Sequence, residues 1–320
     1  MRILSGIQPS GKLHIGNYFG MMKPAINMQD DADVFLFIAD YHALTTTHDA
    51  KILKDLINDA VLDFLACGIN PDKTFFYKQS DVPQVHELAW LLSTITPIGL
   101  LERCHSFKDK TAKGISASHA LFSYPVLMAS DILSISANVI PVGRDQKQHV
   151  EVTRDIAERF NNHFGEVFTI PEPSIKESVS VVPGIDGQKM SKSYNNTIDI
   201  FDSGKSLRKR VMKIVTDSKE LEDPKDPDKC NIFSLFKLFS DSNEQQELAD
   251  SYRAGGMGYG HAKTKLYEKI ENYYAPIREK RNELIKNTDL VEDILNDGAK
   301  KASSITRDVL QRARLAVGLE

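Results

Sequence analysis

Two lysines three apart, Lys189 and Lys192, stand in the run Asp186-Gly187-Gln188-Lys189-Met190-Ser191-Lys192-Ser193-Tyr194-Asn195-Asn196. The run follows the apolar stretch Val179 to Pro183, so it reads as a loop leaving the end of a buried strand. In open α/β sheets ligands bind at such strand ends. A lysine meets phosphate as a flexible point charge, and positive charge aimed at a transferring phosphoryl group is a major source of catalysis. Alone, a Lys-x-x-Lys loop is most simply a solvated turn. Its chemical meaning depends on whether the rest of the chain brings a phosphate-bearing ligand to it.

Three further segments bear on that. Gln8-Pro9-Ser10-Gly11-Lys12-Leu13-His14-Ile15-Gly16-Asn17 joins a first strand to a helix start. Glycine lets backbone approach an anion, and a helix N-terminus offers free N–H groups. His14 and Asn17 are three apart and share a helix face, from which both can donate to phosphate oxygens. Tyr124, Met128 and Asp131 also share a helix face. If that face lines a pocket, Asp131 accepts from a largely apolar ligand with one donor; an indole N–H fits, and so does a phenol. Gly143-Arg144-Asp145-Gln146-Lys147-Gln148-His149 again lies between strand and helix, and Asp145 there also suits a helix N-cap.

The elements that must position these groups alternate. Arg2 to Gln8, Val34 to Ala39, Thr74 to Tyr77, Asn138 to Val142 and Val179 to Pro183 read as strands. Ile52 to Leu65, Glu87 to Leu92, Leu121 to Ile135 and Gln146 to Phe160 read as helices, and Leu100 to Ser118 as a polar, mobile connection. This predicts a Rossmann-like doubly wound parallel α/β sheet. Beyond Asn196 the pattern is helical only, over Ser206 to Val215, Ile232 to Phe239, Glu244 to Tyr252, Thr264 to Lys286 and Leu290 to Leu315. We therefore expect a catalytic domain over residues 1–193, with a connective insertion around 45–120, and an all-α bundle over 194–320. The pattern leaves open whether the last helix returns to the first domain.

The totals fit a globular protein: 320 residues, 41% hydrophobic, 26% charged, net charge −4. No apolar run reaches membrane-span length, and Met1-Arg2-Ile3-Leu4 enters a strand rather than a signal peptide. Cys67, Cys104 and Cys230 are widely spaced, without metal-ligand spacing, which suits a reducing cytoplasm. Basic and acidic residues balance after residue 193, with a local cluster at Lys205, Arg208, Lys209, Arg210 and Lys213. Charge alone does not announce a nucleic-acid partner.

Jointly the segments are far more specific. His14-Ile15-Gly16-Asn17 together with Lys189-Met190-Ser191-Lys192-Ser193 resembles the paired signatures of class I aminoacyl-tRNA synthetases. Ser5 to Gly11, Asp40-Tyr41-His42-Ala43, Tyr124 to Ile132 and Pro141 to His149 narrow the resemblance to bacterial-type tryptophanyl-tRNA synthetases. It continues through Val215-Thr216-Asp217-Ser218 and Gly258-Tyr259-Gly260.

The resemblance implies that ATP and L-tryptophan give tryptophanyl-adenylate and pyrophosphate, after which tryptophan passes to the 3′ end of its tRNA. By the same resemblance, Gln8, Pro9, Ser10, Gly16, Asn17, Gly143, Arg144, Asp145, Val182 and Lys189 to Ser193 (Lys189, Met190, Ser191, Lys192, Ser193) line the ATP site. His14, Asn17, Lys189 and Lys192 carry catalysis. Asp131, Met128, Tyr124, Gln146, His42 and Leu4 hold tryptophan, Asp131 taking the indole N–H. Mg2+ is expected on the ATP phosphates, with no protein metal site. A homodimer whose helical domain reads the anticodon completes the expectation, with no membrane partner. Two positions depart from the family pattern: Leu4 stands where an aromatic is usual, and Arg144 where an acidic residue is usual. The alternatives are a tyrosyl-tRNA synthetase, separable by amino-acid-dependent pyrophosphate exchange, and an inactive synthetase-like RNA-binding protein, which should have lost signature residues.

Overall fold

The structure is a computed structural model that describes residues 1–30, 32–104, 118–143, 146–174 and 182–319. Five parallel strands form one sheet: β1 (Arg2–Ile7), β2 (Asp33–Ile38), β3 (Thr74–Lys78), β4 (Val139–Pro141) and β5 (Glu172–Ser174), in the order β3-β2-β1-β4-β5. β1 runs in register with β2 from Arg2 opposite Asp33 to Ile7 opposite Ile38, and β2 with β3 from Val34 opposite Thr74. The strand order reverses between β1 and β4, so the crevice beyond their carboxyl ends is the natural ligand site of this topology.

The apolar run of β2 divides by alternation. Leu36 and Ile38 face a core with Ile7, Ile15, Phe64 and Phe76, while Phe35 and Phe37 face another with Leu4, Tyr77, Ile132 and Ile140. Both faces are buried, which is why the strand reads as continuously hydrophobic. The helix Ala50–Ala66 covers the first face, held at its start by Asp49, whose carboxylate caps Lys51 and Ile52. The helix His119–Ser134 covers the second, capped by Ser118, and carries Pro125 in its first half.

After residue 193 the helices Gly204–Met212, Asn231–Phe236, Ser242–Ala254, Tyr259–Lys286 and Thr288–Ala316 follow, as the helical periodicity predicts. Their core is continuous with that of the sheet, running from Ile7 and Phe19 through Phe239 and Tyr252 to Tyr274. Tyr18, Phe19, Phe239, Tyr273 and Tyr274 meet edge to face across this junction at 5.1–5.9 Å, apart from the tilted pair Phe19–Tyr273 at 6.0 Å. Arg281 ties the halves again, its Nε on Asp63 and its Nη2 on Asp59, each at 2.6 Å. The helix Thr288–Ala316 returns to the sheet and lies along β3 so closely that a Cβ at Gly298 would fall 2.1 Å from the Phe76 carbonyl oxygen. Arg314, near its end, pairs with Glu87.

Three local expectations change. Leu100 to Glu102 belongs to a short helix, Ile98–Glu102, rather than to a mobile connection, and residues 105–117 lie outside the described residues. Most of the strand expected over Val179 to Pro183 also lies outside them; its described end pairs back on its own loop, Pro183 bridging Lys189. The fifth strand is Glu172–Ser174, a three-residue edge with a central proline.

Candidate active site

At the carboxyl end of β1 the chain turns through Gln8 and Ser10, both exposed, with Pro9 buried between them. His14 and Asn17 do not simply share a helix face. They form a reciprocal cap: the Asn17 N–H donates to His14 Nδ1, and the His14 N–H donates to Asn17 Oδ1, each at 3.3 Å. With Nδ1 accepting, the imidazole proton sits on Nε2, so the ring keeps one donor. His14 is buried, and burial together with the nearby Lys192 charge lowers its pKa to about 4. The ring is therefore neutral at physiological pH.

The lysine loop closes directly onto this turn. Met190 is buried, its N–H donating to the Val182 carbonyl at 2.9 Å and its sulfur accepting from the Gly16 N–H at 3.4 Å. Lys192 Nζ donates to the Ser10 carbonyl at 3.0 Å, while Lys189 is exposed. Burial lowers the Lys192 pKa, opposed by the negative charges of Asp199 and Asp63. Ser191 and Ser193 pair through their hydroxyls at 2.8 Å. Behind the loop, Ile15 and Ile200 donate to the carbonyls of Ile198 and Leu13, so residues 198–200 run antiparallel to 13–15. The lysine- and histidine-bearing segments, more than half the length of the chain apart, thus share one cleft wall. The donors that face it are ammonium, amide and imidazole groups, which suit phosphate oxygens.

A second constellation lies at the carboxyl edge of β2 and β3. Asp131 is 4% exposed and is engaged by two side chains. Gln79 Nε2 donates to its Oδ1 at 2.8 Å and its Oδ2 at 2.9 Å, and His42 Nε2 lies 2.9 Å from Oδ2. Tyr124 bonds through its hydroxyl to His149 Nε2 at 3.0 Å, and its ring meets the His42 ring edge-on at 6.2 Å. Leu4 and Met128 belong to the same apolar cluster, Leu4 wholly buried and Met128 partly so. Gln146 takes the N-cap position of the helix Lys147–Phe164 with its side chain exposed, and its N–H donates to the Gly143 carbonyl at 3.0 Å. Arg144 and Asp145 lie outside the described residues.

Sequence reasoning passed over four groups. Gln79 could have been found, because it directly follows a buried strand at the ligand-binding edge. His149 stands within the Gly143 to His149 segment but was given no role of its own. Asp199 and Asn196 carry no local signal; only the folded loop brings them under the lysines.

This fold and paired site define a class I tRNA synthetase, and the family model described as tRNA synthetases class I (W and Y) matches residues 1–275. The tryptophan–tRNA ligase of Fusobacterium nucleatum is 56% identical over 319 residues, 99% of this chain and 98% of that protein. That of Campylobacter jejuni is 54% identical over the whole of both chains. The crystal structure of Campylobacter jejuni tryptophanyl-tRNA synthetase complexed with ADP and tryptophan superposes with a TM-score of 0.96, at 54% identity and complete coverage of both. The Mycoplasma pneumoniae enzyme superposes at 0.82, with 29% identity and 100% and 98% coverage. The chain belongs to the tryptophan–tRNA ligases of that class.

Proposed function

We propose that this chain activates L-tryptophan with ATP and transfers it to the 3′ end of its tRNA. The observation that carries the reading is the closure of Lys192 onto Ser10 beside His14, at the same sheet edge as the buried Asp131. The substrate carboxylate attacks the α-phosphorus of ATP; the new carboxyl–phosphorus bond forms as the bond to the β-phosphate oxygen breaks, and pyrophosphate leaves. No protein nucleophile is needed, so this chain contributes position and charge.

In this reading Gln8, Pro9, Ser10, Gly16, Asn17, Gly143 to Asp145 and Val182 line the nucleotide. Lys189 and Lys192 offset charge developing on the leaving pyrophosphate, and the neutral His14 donates from Nε2. Mg2+ is held chiefly by the phosphates, where it supplies further neutralising charge. Asp131 accepts the indole N–H, His42, Met128 and Leu4 shape the ring pocket, and Tyr124 and Gln146 hold the α-ammonium.

Residues 1–193 then act as the catalytic domain, with the insertion around 45–120, and residues 194–320 read the tRNA anticodon. Trp90, 71% exposed, and Ile98, 66% exposed, are large apolar side chains available for contact in a homodimer. The three cysteines are buried and unpaired, which fits a cytoplasmic setting. The test is ATP–pyrophosphate exchange with the purified chain. Tryptophan should support it and tyrosine should not; exchange driven equally by tyrosine, or none with tryptophan, would overturn the reading.

A further inference from the structure

The lysine loop is shaped by one buried side chain. Asn196 is 1% exposed and uses both of its amide atoms on the loop that precedes it. Its Nδ2 donates to Asp186 Oδ1 at 2.8 Å and to the Lys189 carbonyl at 3.1 Å, while its Oδ1 accepts from the Ser191 N–H at 2.7 Å. The three partners span both sides of Met190, so a single amide sets where Lys189 leaves the hairpin and where Ser191 begins the turn to Lys192. Asn195 makes this possible: at φ 51° and ψ 33° it is left-handed, a conformation Asn tolerates better than most residues. Gly184 keeps the space clear, since a Cβ there would fall 2.4 Å from Asn196 Cγ.

The backbone on either side of Asn196 is gripped from the helical half. Arg210, on the helix Gly204–Met212, donates from Nε to the Thr197 carbonyl and from Nη2 to the Asn195 carbonyl, both at 2.6 Å. A planar guanidinium presents its donors in a rigid fork matched to the two carbonyls, whereas an ammonium is a flexible point charge without that fixed geometry. Arg210 therefore belongs to this clamp, and its neighbours Lys209 and Lys213 in the basic cluster do not share that role.

We propose that Asn196, braced by Arg210, is the positioning residue that holds the Lys189–Ser193 loop in its phosphate-facing shape during tryptophan activation. The inference rests on the reading of that loop as the cover of the ATP phosphates. Neither residue touches the ligand. They act by fixing the path along which Lys192 reaches Ser10 and, with ATP bound, the phosphates. Misplacing a catalytic group by about 1 Å costs rate on the order of 100-fold. Tryptophan binding, which depends on Asp131 at another strand end, should be indifferent.

The test uses the full chain and compares wild type with Asn196→Ala, Asn196→Asp, the double variant Asp186→Asn/Asn196→Asp, and Arg210→Lys. Tryptophan-dependent exchange by the wild type comes first; its absence overturns the functional reading itself. With that activity present, Asn196→Ala should lower exchange kcat about 10- to 100-fold. Tryptophan affinity measured by calorimetry without ATP should stay within about twofold. Asn196→Asp sets two carboxylates against each other and should lose at least as much. Adding Asp186→Asn restores a donor to that pair and should recover about fivefold. Arg210→Lys, at a partly exposed site that threatens the fold less, should fall in the same direction. Exchange kcat near wild type in Asn196→Ala and Arg210→Lys overturns the clamp, as does an equal loss of tryptophan affinity.

Discussion

Replacing Asp131 tests the proposed amino-acid site most directly. A carboxylate offers about four lone-pair sites, two on each oxygen. Oδ2 of Asp131 is filled by Gln79 and His42, both at 2.9 Å, whereas among the described residues Oδ1 takes only Gln79, at 2.8 Å. One acceptor site remains, on Oδ1, which is where a donor-only indole N–H would bind. Asp131→Ala leaves that N–H without a partner and removes a charge-assisted bond, a loss of about 2–3 kcal/mol. In kcat/KM for tryptophan this is roughly 30- to 150-fold. Asp131→Asn should be milder. If its amide NH2 replaces Oδ2, His42 can accept from it by carrying its proton on Nδ1, and the Oδ1 acceptor survives without charge. That variant should lose about 1 kcal/mol. The assay is tryptophan-dependent ATP–pyrophosphate exchange across tryptophan and ATP concentrations, with the KM for ATP expected to hold. An Asp131→Ala enzyme within about threefold of wild type for tryptophan, or one whose ATP KM rises in step, would refute the assignment.

Lys192→Ala should lower adenylate formation by about 100- to 1000-fold, the usual cost of removing a group that stabilises transition-state charge, with tryptophan affinity unchanged; single-turnover exchange at an unaffected rate would sink that role. Burial lowers His14 from its ordinary 6.5 to about 4, so between those values the unfolded chain holds a proton that the folded chain does not, and stability rises with pH. Urea unfolding at about pH 5 and pH 7.5 should show wild type losing about 1 kcal/mol more than His14→Asn at the acid end, after discounting for solvent screening; parallel pH profiles would contradict it. Burial also pushes Asp63 up to about 6, with the Arg281 hydrogen bond and charge opposing it. Arg281→Met should cost ~3 kcal/mol at about pH 8 and less at pH 5, where the stranded carboxyl takes up a proton; an equal cost at both would show that Asp63 is not the group left uncompensated.

The strands β1 to β4 were legible because each is an apolar run closed by turn or polar residues, the expected imprint of a sheet covered on both faces. β5 was not: Glu172-Pro173-Ser174 offers no hydrophobic pattern, and among the described residues it pairs with β4 alone. The site divides in the same way. His14, Asn17, Lys189 and Lys192 stand in local segments whose order along the chain carries their resemblance. Gln79, Asn196 and Arg210 work through partners 52, 10 and 15 residues away; only Gln79, directly after a buried strand, has a neighbourhood that marks it. Even where the right residues were named, the chemistry between them needed coordinates: the His14–Asn17 pair is a reciprocal cap, and its tautomer follows from that cap.

The helix that reaches the sheet through Gly298 has a consequence in time. β3 carries an outer row of backbone donors and acceptors, and an open row of that kind invites another strand. Its cover, the helix Thr288–Ala316, is translated after every other described helix. Roughly 200 residues must be added between the two, about 10–40 s of synthesis. During that interval the nascent sheet has one edge that its own chain cannot yet seal. Arrest of translation before residue 288 would release a chain able to build most of the cleft, with Phe75 to Lys78 bare on its flank.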